Sequence, residues 1–330
     1  AEAPDFDELA GVDAETYAIG DEIARGGMGR IFEGRDRRVG RTVAIKQILA
    51  ELLKIYSDDE REIMLRRFER EARITAALQH PSIIPVYEIG RFGESPFLAM
   101  KRVVGEPLDD VIGSLDTMRD RLSLLPKLIA VADALAYAHE RGVIHRDLKP
   151  ANILVGAHGE TVVIDWGLAK QLDIEDEDDS APSVIDSDDG LKTVVGSVFG
   201  TPMYMPPEQA HGTETDRRAD VYALGAILYH LFVGSAPYRE KGKKERAHNV
   251  LDRLRAGPPA PVNELQPDLP ADLVSIVEKA MARDPADRYA DAGELAADLR
   301  HFQSGKLVGV HAYSAGELLR RWIRRHRAAV

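Results

Sequence analysis

The chain has 330 residues, a formal net charge of −12 and no cysteine. That length holds one large domain or two lobes with a sizeable core. The acidic balance argues against nucleic acid as the main partner, and the lack of thiols excludes a disulfide framework and a thiolate zinc site. No uninterrupted apolar run reaches the roughly 18 residues that a bilayer span needs, and no secretory leader opens the chain. A reducing, cytoplasmic setting is the expectation.

In chain order, residues 1–16 are acidic and patternless and are read as a flexible leader. From Tyr17 to Ile48 short apolar runs, "YAIGDEIA", "RIFEGRD" and "TVAIKQI", are separated by turn signals, which predicts consecutive antiparallel strands. A charged helix is predicted over Asp58 to Leu78, with Ile63, Phe68, Ala72 and Leu78 near helical spacing. Strand-like runs follow at Ile83–Ile89 and Pro96–Val103. Beyond "VVGEPLDD" the pattern turns helical: one long helix from Leu122 to His139, and later ones starting near Arg217 (holding the strongly apolar run Ala219–Gly234), Leu273 and Ala292. A strand-rich first third and a helix-rich remainder predict an α+β chain of two lobes meeting near residue 104. Two segments break the pattern. Asp173 to Asp189 carries nine acidic residues and no basic one, which predicts a solvated or disordered stretch. The end, "GELLRRWIRRHRAAV", is basic, with Leu318, Leu319, Trp322 and Ile323 on one helical side.

Chemistry-bearing residues concentrate in a few places. Gly26, Gly27 and Gly29 in "EIARGGMGRIF" lie between two strand runs, where missing Cβ atoms would let backbone amides approach phosphate oxygens. The bland alternative is a tight hairpin. The stretch is no Walker A loop, since no Gly-Lys-Ser/Thr follows, and no dinucleotide fingerprint, since a strand comes next. "VAIK" places Lys46 on an otherwise apolar strand; aimed inward it needs an anion, and Glu71 on the following helix is the candidate. "VIHRDLKPANIL" packs His145, Arg146, Asp147, Lys149 and Asn152 between two apolar runs, costly to desolvate unless hydrogen-bonded or used.

These pieces, taken with "DWG" (Asp165–Gly167), "GTPMYMPPE" (Gly200–Glu208), "DVYALG" (Asp220–Gly225) and "DPADR" (Asp284–Arg288), occur in an order that resembles the eukaryotic-like, bacterial-type Ser/Thr protein kinases over roughly Tyr17 to Phe302. The resemblance implies a bilobal fold: a small antiparallel sheet with one helix over 17–103, a mainly helical lobe over 104–302 with a long acidic activation segment at 165–208, and a basic extension at 303–330. It also implies roles. Asp147 would orient the substrate hydroxyl and Lys149 would offset charge on the transferring phosphoryl group. Lys46, held by Glu71, would grip the ATP phosphates beneath Ala24, Gly26, Gly27 and Gly29. Asn152 and Asp165 would hold Mg²⁺. Ile31 and Ala44 above and Leu154 below would enclose adenine, with Met100 at the gatekeeper position and the backbone of Lys101 and Val103 at the purine edge. Plain core packing is the alternative for these apolar residues.

Lys149 together with Thr201 matches kinases acting on Ser/Thr rather than Tyr hydroxyls. Arg146 beside Asp147 would receive a phosphate on the activation segment, with Thr193 and Ser197 as the candidate autophosphorylation sites and a transient homodimer as the means. Departures from the family pattern are Ala24 for the first glycine, Trp166 for the usual Phe, Lys101 for Glu, and "PPE" for "APE", where Glu208 can still pair with Arg288. The basic tail is read either as a surface helix or, by likeness to receptor kinases, as a cytoplasmic segment before a membrane tether. The rival from another class is a pseudokinase scaffold that binds nucleotide or a partner without transfer.

Overall fold

The computed structural model describes residues 11–26, 29–49, 56–93, 95–167, 169–171, 202–240, 246–316 and 318. Five strands form the first sheet: β1 (Tyr17–Gly26), β2 (Gly29–Asp36), β3 (Arg41–Gln47), and, after helix α1 (Asp58–Ala77), β4 (Val86–Phe92) and β5 (Ser95–Lys101). Their order is β1-β2-β3-β5-β4, every neighbouring pair antiparallel. β3 carries Thr42, Val43 and Ile45, the β-branched residues that suit a central strand. Val43, Ile45, Phe97 and Ala99 fill one face of the sheet with Tyr17.

α1 starts at a capping box: the Glu60 amide donates to Ser57 Oγ at 3.3 Å, and the Ser57 amide donates to Glu60 Oε2 at 2.9 Å. Asp58, Asp59 and Glu60 add negative charge where the helix dipole favours it. Met64, Phe68 and Ala72 form its buried stripe against Ile48 and Leu98. Met64 takes the place expected for Ile63, which is only half-buried, because 64, 68 and 72 keep the i, i+4 rhythm. This stripe fixes the roll of α1 and so turns the adjacent Glu71 toward the sheet.

The second lobe begins with β6 (Gly105–Pro107), α2 (Leu108–Gly113), α3 (Met118–Ser123) and α4 (Leu125–His139). The single helix expected over Leu122–His139 is instead interrupted at Leu124. Pro126, in the first turn of α4, lacks the amide that a continuing helix would use. Taken together, Met118–His139 is long and apolar enough by length and composition to cross a membrane, but it is broken at Leu124 and 56% of its most apolar window is buried inside the protein. Next come β7 (Val143–Ile144), β8 (Ile153–Gly156), β9 (Thr161–Val163) and β10 (Lys170–Gln171). Helices α5 (Pro207–Ala210), α6 (Arg218–Val233), α7 (Ala247–Ala256), α8 (Val262–Leu265), α9 (Ala271–Ala280) and α10 (Ala292–Gln303) complete the lobe.

α6 is the central helix, buried around almost its whole circumference, as its apolar sequence predicts. Its Gly225 lies so close to α9 that a Cβ there would come within 2.7 Å of the Ala280 Cβ, so a glycine is required for the helices to touch. Two flanking segments are tied to the lobes. The Val12 amide donates to Arg91 O at 3.1 Å, joining the end of the acidic leader to β4. Past α10, Val308 is buried in the core of the helical lobe, and the Gly309 amide donates to Asp298 Oδ1 at 2.8 Å. The packed chain therefore continues beyond residue 302.

Candidate active site

The lobes enclose a cleft of about 580 Å³. Of the residues singled out from sequence, Ala24, Gly29, Ile31, Ala44, Lys46, Glu71, Met100, Val103, Asp147, Lys149, Asn152, Leu154 and Asp165 all line it. Lys101 does not; its amide donates to Pro85 O at 2.9 Å. Gly26 closes β1 opposite Gly29, outside the lining, and Gly27, Thr193, Ser197 and Thr201 fall outside the described residues.

Lys46 sits on β3, where the strand alternation turns it away from the face built by Val43 and Ile45. Its Nζ lies 2.6 and 2.7 Å from the two Glu71 oxygens and 3.7 Å from Asp165 Oδ1. Burial disfavours the ammonium, but the negative charges of Glu71 and Asp165 outweigh it and raise the Lys46 pKa. Lys46 is therefore an inward-facing charge and not a solvent-facing one at a strand edge, its side chain being 15% exposed. Gly29 has a packing reason of its own: a Cβ there would fall 2.3 Å from Gln47 O, so the hairpin can lie on β3 only without one.

Below, the loop after β7 is held by a buried carboxylate whose supporting part sequence reasoning missed. Asp220 at the start of α6 is 1% exposed. It accepts from the His145 amide at 2.8 Å, the Arg146 amide at 3.0 Å and His139 Nε2 at 2.9 Å. Burial opposes its ionisation, but the His139 hydrogen bond and neighbouring positive charge keep its pKa below the usual carboxylate range. These three bonds hold Arg146 at φ 66°, a left-handed conformation that a non-glycine residue adopts only under constraint. The turn aims Asp147 into the cleft. Lys149 Nζ lies 2.6 Å from Asp147 Oδ2. Asn152 Nδ2 donates to the Asp147 carbonyl at 2.9 Å and to Oδ2 at 3.3 Å, leaving its amide oxygen for another partner. Burial pushes the Asp147 pKa up, with the Lys149 charge opposing it.

Asp165 also has a left-handed backbone, φ 61°. Burial works against its charge, yet Lys46, His145 and Lys149 hold its pKa below the ordinary range. An ionised carboxylate and a neutral amide oxygen are the hard donors that Mg²⁺ takes, with phosphate oxygens completing its shell. Trp166 is 1% exposed and packs against His145 with ring centroids 4.7 Å apart and ring planes inclined by 51°, joining the core that contains Ile74 of α1. The larger ring is thus accommodated in the buried core. Arg288 pairs with Glu208 at 2.6 and 2.8 Å, as its motif position suggests.

Ile23, Thr75, Ile84, Arg102 and Ile164 also line the cleft and were not anticipated. Thr75 had a signal, being one helical turn beyond Glu71. Ile84 and Ile164 carried none that distinguishes a cleft wall from core.

A two-lobed chain with a buried Lys–Glu pair above a constrained His-Arg-Asp loop defines the class, and the comparisons agree. The sequence matches the protein kinase domain over residues 17–300. The chain belongs to the protein kinase family. It is 37% identical over 290 residues to a probable serine/threonine-protein kinase of Corynebacterium efficiens, covering 87% of this chain and 41% of that protein. It is 36% identical over 303 residues to serine/threonine-protein kinase PknD of Chlamydia trachomatis serovar D, covering 86% of this chain and 31% of the relative. With serine/threonine-protein kinase PknB of Mycobacterium leprae it shares 34% over 298 residues, 89% of this chain and 44% of the relative. The chain therefore spans less than half the length of these relatives.

Proposed function

We propose that this chain is a catalytically competent kinase domain that transfers the γ-phosphoryl group of ATP to Ser or Thr hydroxyls of proteins. The observation that carries the proposal is the formed Lys46–Glu71 pair, 2.6 Å, in the same cleft as Asp147, Asn152 and Asp165. A scaffold that only binds nucleotide would use Lys46, Asn152 and Asp165 but would have no task for Asp147, which lines the same cleft.

Each residue has a physical task. Lys46, locked by Glu71, presents a fixed positive charge to the α- and β-phosphates. Asn152 and Asp165 are the residues that would hold Mg²⁺, which supplies charge neutralisation on the phosphate oxygens. Asp147 accepts the hydrogen bond of the substrate hydroxyl and orients its oxygen toward the γ-phosphorus. As the new P–O bond forms and the bond to ADP breaks, the hydroxyl proton passes to Asp147, while Lys149 offsets the charge on the equatorial oxygens. Positioning and pre-set charge do the catalysis. Ile31, Ala44 and Leu154 enclose the base, and the backbone around Val103 meets its edge. Thr193 and Ser197 are the proposed autophosphorylation sites, reached in an encounter between two copies. The setting we assign is cytoplasmic, and the basic tail is read either as a surface helix or as a segment leading to a membrane tether.

The test is incubation with Mg²⁺ and γ-labelled ATP beside Asp147→Asn, with phosphosites mapped by mass spectrometry. Label on Thr193 or Ser197 that disappears in the variant is expected. Nucleotide binding with no transfer to self or to a generic protein substrate would favour the scaffold reading instead.

A further inference from the structure

The outer edge of the cleft carries an ion pair to which the reaction outlined above gives no part. Arg102, the first residue after β5, lines the cleft. Its Nε lies 3.2 Å from Glu33 Oε2, and its Nη1 donates to the carbonyl of Val103. Glu33 stands on β2 opposite Ala44, and Ala44 stands opposite Met100 on β5. Residues directly opposite in antiparallel register project to the same side, so Glu33 shares the face of two cleft-lining residues. One charge hangs from the roof of the cleft and the other rises from the linker between lobes. Their contact closes the rim across β3. The side chains are 24% and 50% exposed, which places the pair at the mouth rather than in the interior.

The bond to Val103 gives the pair a consequence. Val103 lines the cleft at the point where the linker backbone would meet the purine edge. A guanidinium that grips both the Val103 carbonyl and β2 limits the linker's freedom before the nucleotide arrives, and ordering a site in advance lowers the cost of binding.

We propose that Arg102 is a positioning residue for the nucleotide: clasped to Glu33, it holds the linker at Val103 in its receptive geometry and slows nucleotide exit. This rests on the ATP reading of the cleft. A partly exposed pair is a modest contributor, so the expected weakening on losing it is about three- to five-fold in Kd.

The experiment measures Mg²⁺–ADP affinity by calorimetry, ADP release by stopped flow with a fluorescent ADP, and kcat and KM for ATP. The proteins are wild type, Arg102→Ala, Arg102→Lys, Glu33→Gln, Arg102→Ala with Glu33→Gln, and the exchange Arg102→Glu with Glu33→Arg, each checked for a native melting temperature. Arg102→Ala and Glu33→Gln are expected to weaken ADP similarly, through faster release, with a larger change in KM than in kcat. The double variant should be no weaker than either single one, and the exchanged pair should recover part of the loss. The gap from wild type should shrink at roughly 0.5 M salt. Arg102→Lys should fall between, since it keeps the charge and loses the fork. Unchanged affinity in Arg102→Ala overturns the clasp. So does weakening in Arg102→Ala with none in Glu33→Gln, because Arg102 would then act on the nucleotide without its partner. Wild-type protein that binds no ADP would instead overturn the ATP reading, and the clasp with it.

Discussion

Asp147 and Lys149 show how two neighbouring charges set one another's chemistry. Burial raises the Asp147 pKa, and the ammonium 2.6 Å away restrains the rise. Protonated Asp147 cannot accept the substrate hydroxyl, so activity should fall on acidification with a limb above the ordinary aspartate range. Replacing Lys149 with Met removes the restraint; the acid limb of kcat/KM should move to higher pH as kcat drops. A pH–rate profile of both proteins reads the two effects separately. His230 provides a second titration, this time on stability. Burial lowers its pKa to about 4, and its Nδ1 lies 2.8 Å from the Tyr204 hydroxyl. The unfolded chain binds this proton more readily than the folded one. Its contribution is therefore fully present above about pH 6.5 and is lost as pH falls toward 4. Up to about 3 kcal/mol is involved. Denaturant melts across that window should show a slope that His230→Gln flattens.

At the scale of elements, the site depends on helices whose ends meet. α6 brings Asp220 under the catalytic loop, and α5 brings Glu208 to Arg288 before α10. The Arg288 side chain is fully buried and that of Glu208 is 9% exposed. Removing one member leaves the other charge uncompensated, so Arg288→Met should cost about 3–5 kcal/mol in urea unfolding. Changing both to apolar residues of similar size should cost less than the single change. The Arg288–Glu208 pairing was legible from motif positions. The Asp220 support was not, because its three partners come from α4 and from the loop after β7, and the sequence lists only an acid at a helix start. Element boundaries slipped where chemistry was local: Pro126 divided a helix that hydropathy joined, and Met64 displaced Ile63 from the buried stripe.

For the molecule as a whole, the cleft joins both lobes, so a nucleotide that binds only the folded chain stabilises it by mass action. At a concentration a hundredfold above Kd, ADP with Mg²⁺ should add about 2.7 kcal/mol and raise the melting temperature by several degrees. Asp165→Asn should lose the magnesium-dependent part of that shift while keeping a smaller response to ADP alone. Thermal scans with and without a chelator measure both.

The sequence alone determined the α+β two-lobe plan and most of the charged residues of the site. Strand and helix periods, and the order of motifs such as "VAIK" and "HRDLKPAN", are local properties of the chain. It also named Glu71 as the partner of Lys46, although "RRFEREAR" offers a second acid, Glu69, and spacing alone could not choose between them. That choice was made by packing: the stripe of Met64, Phe68 and Ala72 against Ile48 and Leu98 sets the roll of α1. Only the tertiary structure brought Asp220 beneath the catalytic loop, packed Trp166 against His145 and set Arg102 against Glu33 at the cleft mouth. These contacts join residues between 21 and 75 positions apart, and no local pattern encodes a distance that arises only when separate elements pack.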